Sequence, residues 1–304
     1  MTNGAGGRCA VIANPVKVSD GFRGAVTEAL REGGWEEPVW LETSEDDPGR
    51  SMTATAVAER VDLVIAAGGD GTVRVVADGL AGTGIPMAIV PEGTANLLSR
   101  NLGIPQNELE AIAVALRGQT RSIDLVKLSV DGAEGEHFAV MAGMGIDAMI
   151  MDETNPDLKD KIGPGAYFVA AAKALGRLPV SMRIKVDNHR VHRRRAMICV
   201  VGNVSTLAGN LVLIPGAKPD DGLLDVYVAS PHRFTQWFRV FLRLITRRRQ
   251  NGDRVDQWRG RRVEVVLEQP DNYQLDGDVV GELRRMVAEI QPRALTIRVP
   301  PQPV

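Results

Sequence analysis

The sequence is poor in cysteine, in aromatic residues and in long apolar runs, and each shortage excludes something. Its 304 residues include two cysteines, Cys9 and Cys199, each inside a short apolar run and far apart in the chain. A disulfide scaffold is therefore excluded, and two buried thiols in a reducing compartment are expected. Aromatic residues make up only 4% of the chain and no nucleic-acid-binding motif accompanies them, so no nucleic-acid partner is expected. No window approaches the roughly eighteen apolar residues of a membrane span, and residues 1–8 lack the parts of a secretory signal. A cytoplasmic location is the expectation.

What is present is ordinary globular material, 44% hydrophobic and 24% charged, long enough for two domains. The net charge of −2 hides an asymmetry. Residues 1–125 carry 10 basic against 17 acidic side chains, and residues 126–304 carry 26 against 21. The excess is concentrated between Arg183 and Arg262, where 17 basic side chains meet 6 acidic ones, which points to an anionic surface as partner.

The first third alternates strand and helix. Cys9–Ala13, a short strand at Val39–Leu41, Val61–Ala67 and Ile85–Val90 read as strands. Gly21–Arg31, Met52–Arg60, Thr72–Leu80, Ala95–Leu102 and Glu108–Arg117 read as helices, and the alternation predicts a parallel sheet covered on both faces. After Ser122 the pattern becomes a series of strands: Ile123–Val130, His137–Met144, Val180–Val186, Ala196–Val201, Leu211–Ile214, Leu223–Ala229, Val263–Leu267, Tyr273–Leu275 and Leu295–Val299. Helices are expected there only at 165–175 and 233–246. The second half is read as an antiparallel sandwich. The boundaries are 1–125 for an α/β domain, to which 291–304 are free to return, and 126–290 for a β-sandwich.

Gly68-Gly69-Asp70-Gly71-Thr72 joins a strand to a helix, where glycine lets backbone approach a ligand and the helix N-terminus offers amides to phosphate. Asp70 would repel phosphate unless a cation or a transferable proton is near, so it points to Mg²⁺ or a reacting hydroxyl. A tight turn capped by Asp70 or Thr72 is the alternative. A second strand-to-helix turn, Pro91-Glu92-Gly93-Thr94-Ala95-Asn96, follows 23 residues later and would share a crevice with the first.

These two turns, with Pro219-Asp220-Asp221-Gly222-Leu223-Leu224-Asp225, resemble the diacylglycerol kinase catalytic family, and especially its soluble bacterial lipid kinases, relatives of sphingosine and ceramide kinases. The resemblance implies an N-terminal domain like those of NAD kinases and phosphofructokinases, followed by a β-sandwich. It implies an ATP- and Mg²⁺-dependent kinase that phosphorylates a lipid hydroxyl, diacylglycerol giving phosphatidic acid. Asn14-Pro15 keeps the family's first turn, whereas the continuation through Lys17 lacks the family's glycines, and Lys17 remains as a point charge for phosphate. Thr43 would contact the nucleotide. Gly68, Gly69, Gly71 and Thr72 would cradle phosphates, with Gly93, Thr94 and Asn96 closing the other side, unless Asn96 is merely a helix cap. Asp221 and the carbonyls of Lys218 and Leu223 would hold magnesium, linked through water to Asp70, unless residues 220–222 form a bare surface turn.

The resemblance places the general base at Asp278, where the family usually has glutamate, with Asp276 and Glu282 in reserve. A plain hairpin end is the alternative. Asp147 would bond the acceptor hydroxyl and Lys159 would join the charge network around the phosphate, or both would sit in surface salt bridges. From Arg233 onward, Phe234, Trp237, Phe238, Phe241, Leu242 and Ile245 share one helical face and Arg239, Arg243 and Arg247 the other. That stripe fits peripheral contact with an anionic membrane, with Arg193, Arg194 and Arg195 joining in, or a helix packed on the sandwich. Two other functions fit some of the residues: a non-catalytic lipid- or nucleotide-binding regulator, and an NAD kinase. A homodimer is compatible with the sequence.

Overall fold

The computed structural model describes residues 6–145, 179–206, 212–230 and 255–301. The helices expected at 165–175 and 233–246, Asp147 and Lys159 lie outside these residues. The chain divides into two compact units, residues 1–125 with 292–304, and residues 126–291.

In the first unit the order is β1 (Cys9–Ala13), α1 (Phe22–Glu32), β2 (Val39–Glu42), α2 (Arg50–Ala58), β3 (Leu63–Gly68), α3 (Asp70–Leu80), β4 (Met87–Pro91), α4 (Leu97–Asn101), α5 (Glu108–Arg117) and β5 (Gln119–Val130), which runs on into the second unit. Every residue of β1, β3 and β4 is buried, as expected of parallel strands covered on both faces. β1 pairs in parallel with β2 and β3, and β3 with β4. The helices cover the sheet with apolar stripes at helical spacing: Phe22, Val26 and Leu30 on α1, and Val73, Val76, Ala77 and Leu80 on α3.

The second unit holds β6 (Glu136–Phe138), β7 (Met141–Met144), β8 (Val180–Val186), β9 (His192–Ala196), β10 (Ile198–Gly202), β11 (Leu224–Ala229), β12 (Val255–Gly260), β13 (Arg262–Leu275) and most of β14 (Asp278–Val299). Among the described residues, the strands β7 to β13 pair with one another antiparallel. The far end of β14 belongs to the first unit, where Ile297 pairs in parallel with Met87. β13 is the hinge of the sandwich. Its first half pairs with β8 and its last three residues with β7, and its register against β14 breaks between Val266 and Asp271. A bulged strand that changes layers is a usual way to make a sandwich corner. Met144, Met182, Ile184, Val226, Val265 and Met286 belong to one buried cluster between the layers.

Three strand expectations need correction. His137–Met144 is two strands, because the amides of Ala139, Val140 and Met141 turn to the Asp276 carboxylate instead of continuing the ladder. Residues 212–214 form no strand, Val212 making only an isolated bridge with Thr206. Val263–Leu267 and Tyr273–Leu275 are one bulged strand.

Candidate functional site

The parallel strands lie in the order β2-β1-β3-β4. The chain leaves β1 in one direction for β2 and resumes at β3 on the opposite side of β1. In open α/β sheets ligands bind at such a switch point, outside the carboxyl ends of the strands. The loops after β1, β3 and β4 emerge there, and they carry Asn14, the first glycine turn and the second.

Asn14 orders its loop without glycines. Its Oδ1 accepts the Val16 N–H at 3.1 Å, and its carbonyl accepts the amides of Lys17 and Val18 at 3.0 and 3.3 Å. The turn brings Lys17 back over the first glycine turn, so that a Cβ placed on Gly69 would come within 2.8 Å of the Lys17 ammonium nitrogen.

The helix expected from Thr72 begins two residues earlier, at Asp70, so the glycine turn is itself the helix N-terminus. The N-cap residue of α3 is Gly69, which has no side chain to cap it, and the amides of Gly71 and Thr72 stand in its first turn, ahead of any intrahelical acceptor. Gly68 is pressed against Thr72, whose Cβ would lie 2.8 Å from a Cβ there. A Cβ on Gly93 would stand 2.7 Å from Gly69 Cα, so the two glycine turns meet backbone to backbone.

Asn96 adopts a left-handed conformation (φ 48°), which asparagine tolerates better than most residues. Its side chain closes a ring on Gly93, accepting that residue's N–H at 2.8 Å and donating to its carbonyl at 2.7 Å, and also donates to Gln106 Oε1 at 3.1 Å. Although Asn96 directly precedes α4, it does not cap it. Asp70 does, its Oδ1 accepting the Leu97 N–H at 2.6 Å. One carboxylate thus ties the first turn to the helix that follows the second. Thr94 stands exposed at the rim. Burial, followed by the charge of Glu108, raises the Glu92 carboxyl above its ordinary range, and Glu108 also accepts the Ser19 hydroxyl at 3.0 Å.

Thr43 lies just beyond β2 and is buried. Its N–H donates to Ala13 at 2.9 Å, while its hydroxyl has no hydrogen-bond partner among the described residues. The neighbouring helix α2 differs from α3. Asp47 accepts the amides of Gly49, Arg50 and Ser51 at 3.0, 2.6 and 3.1 Å, and its hydrogen bonds, led by one with the Ser51 side chain, hold its carboxyl down at about 2. The N-terminus of α2 is therefore closed by the chain's own carboxylate, whereas the N-cap of α3 is a glycine.

In the second unit, Asp276-Gly277 forms the two-residue turn between β13 and β14, both with positive φ (49° and 104°), the geometry of a type I′ hairpin. Asp276 is buried and accepts the amides of Ala139, Val140 and Met141 at 3.3, 3.1 and 2.9 Å, so it is a structural anchor and is withdrawn as a reserve base. Asp278 and Glu282 are exposed on β14.

Asp221 Oδ1 accepts the Leu223 N–H at 3.1 Å, and Asp221 Oδ2 accepts the Arg259 guanidinium at 2.6 Å. The same arginine bonds Asp225 at 3.1 Å, which also receives Gln257 at 2.9 Å. Burial pushes the Asp225 carboxyl up, against the opposite pull of Gln257 and Arg259. Lys218 is exposed and Leu223 half-buried on this turn. As arranged, these residues do not fit a resident magnesium ion. Both Asp221 oxygens are engaged, the positive charge comes from Arg259, and no metal-holding group of three or more His, Cys, Asp or Glu occurs among the described residues. Arg259, 38 positions from Asp221, carried no local signal in the sequence, and neither did Gln106 behind Asn96.

The sequence matches the diacylglycerol kinase catalytic domain over residues 8–128 and the YegS C-terminal NAD kinase beta sandwich-like domain over residues 125–299. It is 31% identical to a diacylglycerol kinase of Mycobacterium tuberculosis over 250 residues, 82% of this chain and 80% of that one. It is 26% identical to a diacylglycerol kinase of Bacillus subtilis over 283 residues, 91% of each. In fold it is similar to a diacylglycerol kinase of Bacillus anthracis, with a TM-score of 0.71 at 23% identity over 97% of both chains. It is also similar in fold to an NAD kinase of Archaeoglobus fulgidus, solved in complex with ATP, with a TM-score of 0.51 at 15% identity over 96% of this chain and 93% of that one.

Proposed function

Since the chain belongs to the diacylglycerol kinase catalytic family and is a lipid kinase, we propose that it transfers the γ-phosphate of ATP, delivered as the magnesium complex, to the hydroxyl of diacylglycerol, giving phosphatidic acid. The observation that carries this reading is the contact of the Gly69 and Gly93 turns beside the uncapped N-terminus of α3, with the Lys17 ammonium above Gly69. Phosphoryl transfer makes the migrating group loose and highly charged, so its catalysts work by position and electrostatics. Backbone amides at a helix N-terminus supply both at short range. The orphaned Thr43 hydroxyl, buried just beyond β2, is a further group a nucleotide would satisfy.

Asp278 accepts the proton of the attacking lipid hydroxyl in this reading, and Glu282 is the second choice. Magnesium arrives with the nucleotide phosphates, so no step passes through Asp221. No helix among the described residues is long and apolar enough to cross a membrane, and the enzyme works as a peripheral protein on the surface that holds its substrate.

The test is a transfer assay with labelled ATP and mixed micelles of candidate lipids. Label is expected in diacylglycerol. An unlabelled lipid panel, or phosphorylation of NAD instead, would overturn the reading. Asp70→Asn keeps an oxygen acceptor for Leu97 and removes the charge. Its turnover is expected to fall by about a thousandfold while the melting temperature changes little.

A further inference from the structure

The solvent face of the β9-β8-β13 layer has a charge arrangement that the site above does not use. A groove of about 560 Å³ runs across it, lined by Arg183 of β8, Arg193 and Arg195 of β9, and Arg284 of β14, with Glu268 its one acidic side chain. None of these four arginine side chains makes an ion pair or hydrogen bond with a described residue, unlike Arg8, Arg31, Arg262 and Arg285, which do. Register makes the crowding worse. Arg183 and Arg193 face each other directly across the antiparallel β8/β9 ladder, where like charges oppose pairing. Such a face is stabilised by an external anion.

Arg194 also lines the groove, but its guanidinium is engaged elsewhere. It is the alternate residue on β9 and turns to the other face, where its guanidinium bonds Asp256 at 2.5 and 3.3 Å and lies over the Trp258 ring at 5.5 Å. The run Arg193-Arg194-Arg195 is therefore two anion-facing side chains and one structural pair, and Arg183 and Arg284, distant in sequence, complete the basic face.

We propose that this groove is the surface by which the protein docks on an anionic phospholipid bilayer, its arginines meeting the phosphodiesters of the headgroups. The inference rests on the lipid-kinase reading for the choice of partner, and on charge complementarity and the four guanidinium groups without a partner among the described residues for the place. Arginine suits it because its planar fork bonds phosphate oxygens in pairs.

The experiment is co-sedimentation of the full chain with vesicles of phosphatidylcholine alone, and of phosphatidylcholine with about one-third phosphatidylglycerol. Binding is expected only to the second and is expected to weaken with added salt. The triple variant Arg183→Gln, Arg193→Gln, Arg195→Gln should bind the anionic vesicles about a hundredfold more weakly, at roughly fivefold per arginine. A control with the same loss of charge elsewhere, Arg23→Gln, Arg31→Gln, Arg50→Gln, should bind as the wild type does. Removing apposed like charges should leave the melting temperature of the groove variant unchanged or higher, which separates lost docking from lost folding. Turnover in neutral detergent micelles should survive in the groove variant, so a failure of the kinase reading appears in that assay and a failure of docking in the vesicle assay. Equal binding of wild type and groove variant to anionic vesicles, equal binding of the wild type to both vesicle types, or tight binding of duplex DNA with none to vesicles would each overturn the proposal.

Discussion

The two units treat their loop amides in opposite ways. In the second, Asp131, Asp187 and Asp276 all take the left-handed conformation, with φ of 50°, 50° and 49°, and each carboxylate collects neighbouring amides. Asp131 takes those of Arg284 and Arg285, Asp187 those of Arg261 and Arg262, and Asp276 those of residues 139–141. In the first unit Asp47 takes three amides at α2, while Asp62 and Asp124 take one each, from Arg8 and Arg293. At α3 glycine faces glycine, and the Asp70 carboxylate reaches across to α4. An amide satisfied by the chain's own carboxylate is no longer available to a ligand. On the proposed reading, the absence of an acid at the N-cap of α3 marks the phosphate site as much as its glycines do.

The harshest test of this comparison lies in one turn. Asp276→Ala would strand three buried amides, and with about 1–3 kcal/mol for each unsatisfied buried group the variant should lose several kcal/mol in a urea or thermal melt. Two residues on, Asp278→Asn should melt within about 0.5 kcal/mol of wild type, as exposed substitutions do, yet lose lipid-kinase turnover. If both variants melt alike, Asp276 does not hold those amides as described. If Asp278→Asn keeps full turnover, it is not the base.

A middling effect is expected where the backbone is open. Gly93→Ala puts a methyl 2.7 Å from Gly69 Cα, and relieving such overpacking costs about 1–3 kcal/mol. The turn must also move off its partner, so titration with a fluorescent ATP analogue should show nucleotide binding lost. Gly24→Ala, on the exposed side of α1 with nothing within 4 Å of the new methyl, should be neutral or slightly stabilising. Unchanged nucleotide affinity in Gly93→Ala would mean that the contact between the turns is not a phosphate cradle.

Much of the first unit was legible because its strands are continuous apolar runs and its turns are glycine-rich, both local signals. Cys9–Ala13 and Glu108–Arg117 fall where their sequences predict them. The start of α3 was misjudged by two residues because glycine disfavours helix interiors, a cost of up to about 1 kcal/mol that does not apply to the first turn. In the second unit the same reasoning missed β9 and β12, since His192–Ala196 and Val255–Gly260 are largely polar or charged and become strands through their partners. The divided roles of Arg193, Arg194 and Arg195 follow from register, which no short sequence window contains. The pairing of Arg259 with Asp221 and Asp225 joins β12 to β11 and the turn before it, and was invisible for the same reason.

That cluster gives the smallest expected effect and the finest test of the comparison, because Arg259 fills with positive charge a place for which the family resemblance suggested a metal. In the wild type the guanidinium occupies both Asp221 and Asp225, so added Mg²⁺ finds no open carboxylate pair and the melting temperature should not respond to it. Arg259→Gln leaves two carboxylates, one of them buried, without their cation, and the variant should melt lower in chelator. Mg²⁺ should then raise its melting temperature with a saturable dose response, since any ligand that binds only the folded form stabilises it by RT ln(1 + [L]/Kd). Ca²⁺ in parallel would distinguish a shaped oxygen site from plain screening, because magnesium demands a tighter octahedral shell. A wild type that gains the same increment from Mg²⁺ would show that the turn holds a metal alongside Arg259, and that arginine and metal are partners there and not substitutes.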